Sequence, residues 1–166
     1  VMRHPQEGSA DAAAEASLVP VINAGDGVGE HPTQALLDLY TIQKELGKMD
    51  DLTIVFVGDL LYGRTIHSLV YLLAALADIR LFLVSPPELR LPEKYKSYLA
   101  EHRIAFEEVD DLRHVAGKAD VLSVTRIQKE RFESPEEYEK IKNSYVIDRS
   151  ILDQMKKDAI IMHPLP

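Results

Sequence analysis

The chain has 166 residues, 46% of them hydrophobic and 28% charged, enough for one well-buried domain with a piece of a second beside it. Its 27 acidic against 19 basic residues give a formal net charge of −8, which sets it against nucleic acid and anionic lipid, so any anionic ligand must be held by locally placed cations. The absence of cysteine removes disulfides, thiolate metal sites and cysteine nucleophiles together, and fits a reducing, cytoplasmic setting.

No apolar run approaches the roughly 18 residues of a membrane span, and no signal peptide is visible. A chain that starts at Val1 and stops at Pro166, inside what reads as a motif, is expected to be an excerpt of a longer one.

In chain order the pattern predicts a helix over 8–17, a strand from Val19 to Asn23, and a helix over 33–46 opened by Pro32 and closed by Gly47. A strand from Thr53 to Val57 leads into a helix over 64–77, and a strand from Ile79 to Val84 into a helix over 92–102. Ile104 to Val109 and Asp120 to Val124 read as further strands with a helix over 111–117 between them. Helices over 135–143 and 149–157 precede a last strand from Ala159 to Met162. Strand and helix alternating at this spacing argue for an α/β fold with a doubly wound open parallel sheet flanked by helices. Ligands of such sheets bind beyond the carboxyl ends of the strands, so the residues just after each strand become the candidates.

After the first strand, a loop with Gly25, Gly27 and Gly29 runs to His31 and Gln34 at a helix start. Glu30 occupies the place of the third glycine of a dinucleotide fingerprint, which argues against a nicotinamide site. Free N–H groups and the helix dipole favour an anion there; a histidine can donate to a developing oxyanion and a glutamine can bind an amide. A capped helix start with a solvent-facing His31 is the plain structural alternative.

The loop from Gly58 to Thr65 imitates a nucleotide-binding phosphate loop, but Arg64, a planar fork suited to a carboxylate, stands where that loop uses lysine. Beyond the fifth strand lie Arg126 and Gln128, followed by a charged run, Lys129 to Arg131, read as a solvated network. Two prolines around Leu165 fix an extended turn whose carbonyls, those of Pro164 and Leu165 among them, are expected to lack local partners and so to accept from a ligand. There is no carboxylate pair at glycosidase spacing, no base placed for Ser68 or Ser85, and no defensible zinc spacing among His4, His31, His67 and His163. The inventory is one for anions and amides, with no metal and no cofactor.

Five motifs in series, Arg3-His4-Pro5, His31-Pro32-Thr33-Gln34, Gly63-Arg64-Thr65, Thr125-Arg126-Ile127-Gln128-Lys129-Glu130-Arg131 and His163-Pro164-Leu165-Pro166, resemble the aspartate transcarbamoylases in order and approximate spacing. Ornithine transcarbamoylases share the fold and first substrate but typically carry a cysteine in the counterparts of the second and last motifs; this chain has none. The resemblance implies transfer of a carbamoyl group from carbamoyl phosphate to L-aspartate without a cofactor. It gives Arg3 and His31 the carbonyl oxygen and its oxyanion, with Arg3 also near the phosphate. Gln34 and the Pro164 carbonyl receive the carbamoyl amide. Arg64 and Arg126 become clamps for the two aspartate carboxylates, with Gln128 assisting and the Leu165 carbonyl near the substrate amine or amide.

It further implies that residues 1–32 end a carbamoyl-phosphate domain and that 33–166 form most of an aspartate domain. The Ser-Thr-Arg-Thr phosphate loop, the neighbouring subunit's serine and lysine, and the closing helices would then lie outside this chain, leaving the fragment inactive alone. A homotrimer with shared sites is expected, and Gly27 to Glu30 leans toward the multifunctional pyrimidine-synthesis chains. Leu61 departs from the lysine usual in the family, which points to altered closure around aspartate, or to a non-catalytic assembly or regulatory module that keeps the fold.

Overall fold

The structure, a computed structural model, describes residues 1–127, 134–141 and 144–164. Two parallel sheets organise it. The smaller pairs β1 (Met2–His4) with β2 (Asn23–Asp26), joined by α1 (Ser9–Ala16). The larger has five strands, β3 (Leu52–Val57), β4 (Ile79–Val84), β5 (Ala105–Val109), β6 (Val121–Val124) and β7 (Ile160–Met162), in the order β5-β4-β3-β6-β7. The helices are α2 (Pro32–Leu46), α3 (Arg64–Leu73), α4 (Glu93–Glu101), α5 (Pro135–Ile141) and α6 (Arg149–Leu152).

The period-two alternation of strands with two buried faces explains the layers. Leu52, Ile54 and Phe56 of β3, with Leu81 and Leu83 of β4, face Ile66, Leu69, Val70 and Leu73 of α3 and Tyr95 and Leu99 of α4. The intervening Val55, Val57, Phe82 and Val84 face Leu112, Val115, Ala116 and Ile151 on the other side. Each fully buried Leu, Ile or Phe contributes about 1.5–3 kcal/mol, so the two layers supply most of the drive to fold.

The doubly wound sheet is present, with β4 at its predicted bounds, β3 one residue longer at the start, and β5, β6 and β7 one residue shorter there. The predicted strand Val19 to Asn23 is a correction: Val19 and Ile22 are exposed, and the strand is the polar Asn23–Asp26, paired with β1, which the sequence pattern did not reveal. The predicted helix over 111–117 is two single 3-10 turns, Leu112–His114 and Ala116–Lys118, because Asp111 caps a short turn and Leu112, Val115 and Ala116 are drawn into the core. The helix over 64–77 ends regularly at Leu73, and that over 149–157 at Leu152; beyond the latter the chain folds back so that the Lys156 ammonium meets Asp120 at 2.7 Å. Gln128, Leu165 and the Lys129 to Arg131 run lie outside the described residues. No helix among those described is long and apolar enough to cross a membrane.

Strand order reverses beside β3: β4 lies on one side and β6 on the other. The crevice outside their carboxyl ends is where an open α/β sheet receives ligands. The loop from Gly58 to Gly63 and the segment from Thr125 enter it.

Candidate functional site

His31 is the N-cap of α2, and its Nδ1 accepts from the Gln34 N–H at 3.3 Å, with the Thr33 hydroxyl at the same distance. With Nδ1 accepting, the neutral ring carries its proton on Nε2, the tautomer that donates. Burial lowers the His31 pKa, and the Arg64 and Arg3 cations lower it further. The ring is therefore a neutral donor next to two positive charges. This answers the alternative of an exposed capping histidine: His31 caps its helix and also faces the cationic cluster.

Arg3 and Arg64 line an open cavity of about 330 Å³ together with His4, Pro5 and Gly27. Arg64 opens α3 and donates from Nη1 to the Gly27 carbonyl at 2.9 Å. A Cβ on Gly25 would lie 3.2 Å from the Arg64 guanidinium carbon and 3.3 Å from the His31 ring, which is why the chain is bare of a side chain there. The structure thus groups Arg64 with Arg3 and His31, whereas sequence reasoning paired it with Arg126.

Arg126 lines a second cavity, of about 320 Å³, with Gly58, Thr125, Tyr138, Tyr145 and His163. Gly58 has φ 112, and a Cβ on it would come within 2.1 Å of the Thr125 carbonyl oxygen, so β3 and β6 exit in contact. The Thr125 hydroxyl donates to the Val57 and Asp59 carbonyls at 3.1 and 3.2 Å, fixing the backbone that leads to Arg126. The Pro164 carbonyl corrects an expectation: it has a local partner, the His163 Nδ1 at 2.7 Å, because the turn brings the ring back over its neighbour.

Several polar residues of the site were not singled out from sequence. The Gln34 amide nitrogen donates to the Asp38 carboxylate at 2.8 Å, one turn along α2, which orients the amide; burial raises the Asp38 pKa against the opposing effect of that bond. An acid four residues after Gln34 on one helix face was the available signal. The Ser68 hydroxyl accepts from the His31 N–H at 2.7 Å and donates to Glu30, whose carboxyl is raised chiefly by burial. Asp26 accepts from the Glu30 and Gly8 N–H groups at 3.0 and 2.9 Å; burial pushes its pKa up, but these bonds outweigh burial and hold it low. Among the described residues no group of three or more His, Asp or Glu side chains is placed to hold a metal ion.

Comparison with known proteins fits this geometry. Residues 50–166 match the model of the aspartate/ornithine carbamoyltransferase Asp/Orn binding domain, and residues 1–44 that of the carbamoyl-P binding domain. The chain belongs to the aspartate/ornithine carbamoyltransferase family. Over all of its length it is 56% identical to the aspartate carbamoyltransferase catalytic subunit of Leptospira biflexa, covering 53% of that protein, and 55% identical to that of Methanocaldococcus jannaschii, covering 54%. It is 52% identical to the chloroplastic aspartate carbamoyltransferase of Arabidopsis thaliana, of which it covers 43%.

Among solved structures, the catalytic subunit of M. jannaschii aspartate transcarbamoylase superposes with a TM-score of 0.87 at 55% identity, over 99% of this chain and 53% of that one. The Trypanosoma cruzi aspartate transcarbamoylase in complex with carbamoyl phosphate superposes with a TM-score of 0.89 at 41% identity, over 99% of this chain and 54% of that one. The chain spans about half the length of the curated relatives it matches.

Proposed function

We propose that the full-length protein of this carbamoyltransferase family transfers the carbamoyl group of carbamoyl phosphate to the amine of L-aspartate, giving N-carbamoyl-L-aspartate and phosphate, a step of pyrimidine biosynthesis. The observation that carries this reading is the neutral, donating His31 under the charges of Arg3 and Arg64, with Arg126 lining a second cavity beyond the end of β6. It is supported by relatives named aspartate carbamoyltransferase at 52–56% identity.

In this reading the aspartate amine attacks the carbamoyl carbon, the carbon–oxygen bond to phosphate breaks, and the amine proton leaves with the phosphate. Arg3 and the His31 Nε2–H stabilise the oxyanion, worth about 2.7–4 kcal/mol for a single such donor elsewhere. Gln34, oriented by Asp38, and the Pro164 carbonyl hold the carbamoyl amide. Arg64 and Arg126, assisted by Gln128 and the Leu165 carbonyl, hold aspartate. A monocarboxylate would engage one arginine clamp and leave the other without its substrate contact, which is the basis of the choice of substrate. The chemistry asks for two oriented anions and a stabilised oxyanion, so we assign no cofactor.

Residues 1–32 end the carbamoyl-phosphate domain and 33–166 belong to the aspartate domain, in a homotrimeric cytoplasmic enzyme or a longer pyrimidine-synthesis chain. The test uses the purified full-length protein. It should form N-carbamoylaspartate, and Arg126→Ala should raise the aspartate KM at least about tenfold, the loss of one charge-assisted hydrogen bond to a carboxylate, with the carbamoyl phosphate KM nearly unchanged. No product from the unaltered protein, or equal loss for both substrates, contradicts the proposal.

A further inference from the structure

His67 is 2% exposed and lies outside the groups assigned above, yet its ring touches both loops of the site. It belongs to the first turn of α3, three residues after Arg64. Its Nε2 is 3.0 Å from the Leu60 carbonyl, in the loop that leads into Arg64, and its Nδ1 is 3.3 Å from the Gly29 carbonyl, two residues before His31. The ring is stacked on Tyr95 of α4, centroids 4.2 Å apart and planes 18° from parallel, and so cannot turn freely.

A neutral imidazole has one N–H, and two carbonyls compete for it. Burial lowers the His67 pKa and the Lys94 cation adds to this, while the Leu60 and Gly29 carbonyls oppose it; the net direction is down. The ring is thus neutral at neutral pH, and the shorter contact gives its proton to Leu60. The titratable groups around it are Lys94 and Tyr95 of α4 and Glu30 of the glycine loop.

We infer that His67 is a positioning residue for Arg64: its Nε2–H, held in place by the Tyr95 stack, ties the Leu60 carbonyl back to the first turn of α3 and so sets where the guanidinium stands. This rests on the reading of Arg64 as an aspartate ligand. The rest of the anchoring agrees with it, since the loop is closed by the Asp59 carboxylate accepting the Tyr62 N–H at 2.9 Å and by Gly63, where a Cβ would meet the Asp59 carbonyl at 2.5 Å. A loop this tightly bonded carries a displacement of Leu60 into Arg64.

Two variants of the full-length protein separate positioning from packing. In His67→Gln the amide nitrogen reaches the place of Nε2 and keeps the Leu60 bond; in His67→Asn it reaches the place of Nδ1 and loses it. The Asn variant should raise the aspartate KM about threefold to tenfold, the range for one lost hydrogen bond, with the carbamoyl phosphate KM within twofold. The Gln variant should stay within twofold of the unaltered protein for both. Equal effects of the two variants, or a carbamoyl phosphate KM that moves as far as that for aspartate, would show a packing role only and overturn the inference.

Should the Asn variant not fold, deuterium exchange at imidazole C2, read peptide by peptide in the unaltered protein, decides. The His67 titration should shift when aspartate with phosphate saturates the site, and no shift overturns the inference. Failure of the unaltered protein to carbamoylate aspartate would instead count against the function proposed above, before any variant is compared.

Discussion

The proton affinity of His31 is set by its neighbours. Burial and the cations Arg64 and Arg3 all favour the neutral ring, so its pKa lies below the ordinary histidine value of 6.5. The neutral, donating form is present above that lowered pKa and is lost as pH falls through it. The kcat/KM for carbamoyl phosphate should therefore be flat through neutrality, with its acid limb below the ordinary histidine range. Arg64→Gln removes one of the two cations and should move that limb upward; a pH profile in which the limb stays put would contradict the electrostatic account. His31, Gln34, Arg64 and Arg126 could be singled out in the sequence because they are polar residues just past apolar strands or at helix starts, whereas Arg3, inside the short strand β1, entered only through the family resemblance. Glu30, Ser68 and His67 were not, since their contacts join residues 37 or 38 positions apart, or pass through a carbonyl that any residue could supply.

At the scale of elements, two glycines with positive φ are expected to behave very differently. Gly47 closes α2 with φ 69 and has nothing within 4 Å of where a Cβ would be, so Gly47→Ala should cost only about 1 kcal/mol, the left-handed penalty. Gly58 at φ 112 has the Thr125 carbonyl 2.1 Å from that place, so Gly58→Ala must push β3 and β6 apart and should cost at least about 3 kcal/mol. Denaturant unfolding of the two variants checks the difference, and equal midpoints would refute it. The five-stranded sheet could be read from sequence because its buried strands are runs of Val, Ile, Leu and Phe. The two-stranded sheet could not: Met2–His4 and Asn23–Asp26 are short and polar, and each exists only because the other is there. The more apolar Val19 and Ile22, which drew the prediction, are exposed.

For the whole molecule, a net charge of −8 surrounds a site built on arginines, so the general field repels the proposed anionic substrates while the cavities attract them. Raising ionic strength screens both, but over a Debye length of about 8 Å at physiological salt the distant surface charge is already muted and the local arginines dominate. The kcat/KM for aspartate should accordingly fall as salt rises, and a rise would mean that the overall charge governs encounter. The strand order also implies an order of assembly. β3 finds β4 across a short stretch of chain, through one helix, but meets β6 only across residues 67 positions away, and β7 docks on β6 after that. Loop closure of that span carries the larger entropic cost and slows the step. The edge bearing Gly58 and Arg64 is therefore in place before the edge bearing Arg126 and His163 arrives, so during synthesis the second half of the crevice is completed last and on a template already folded.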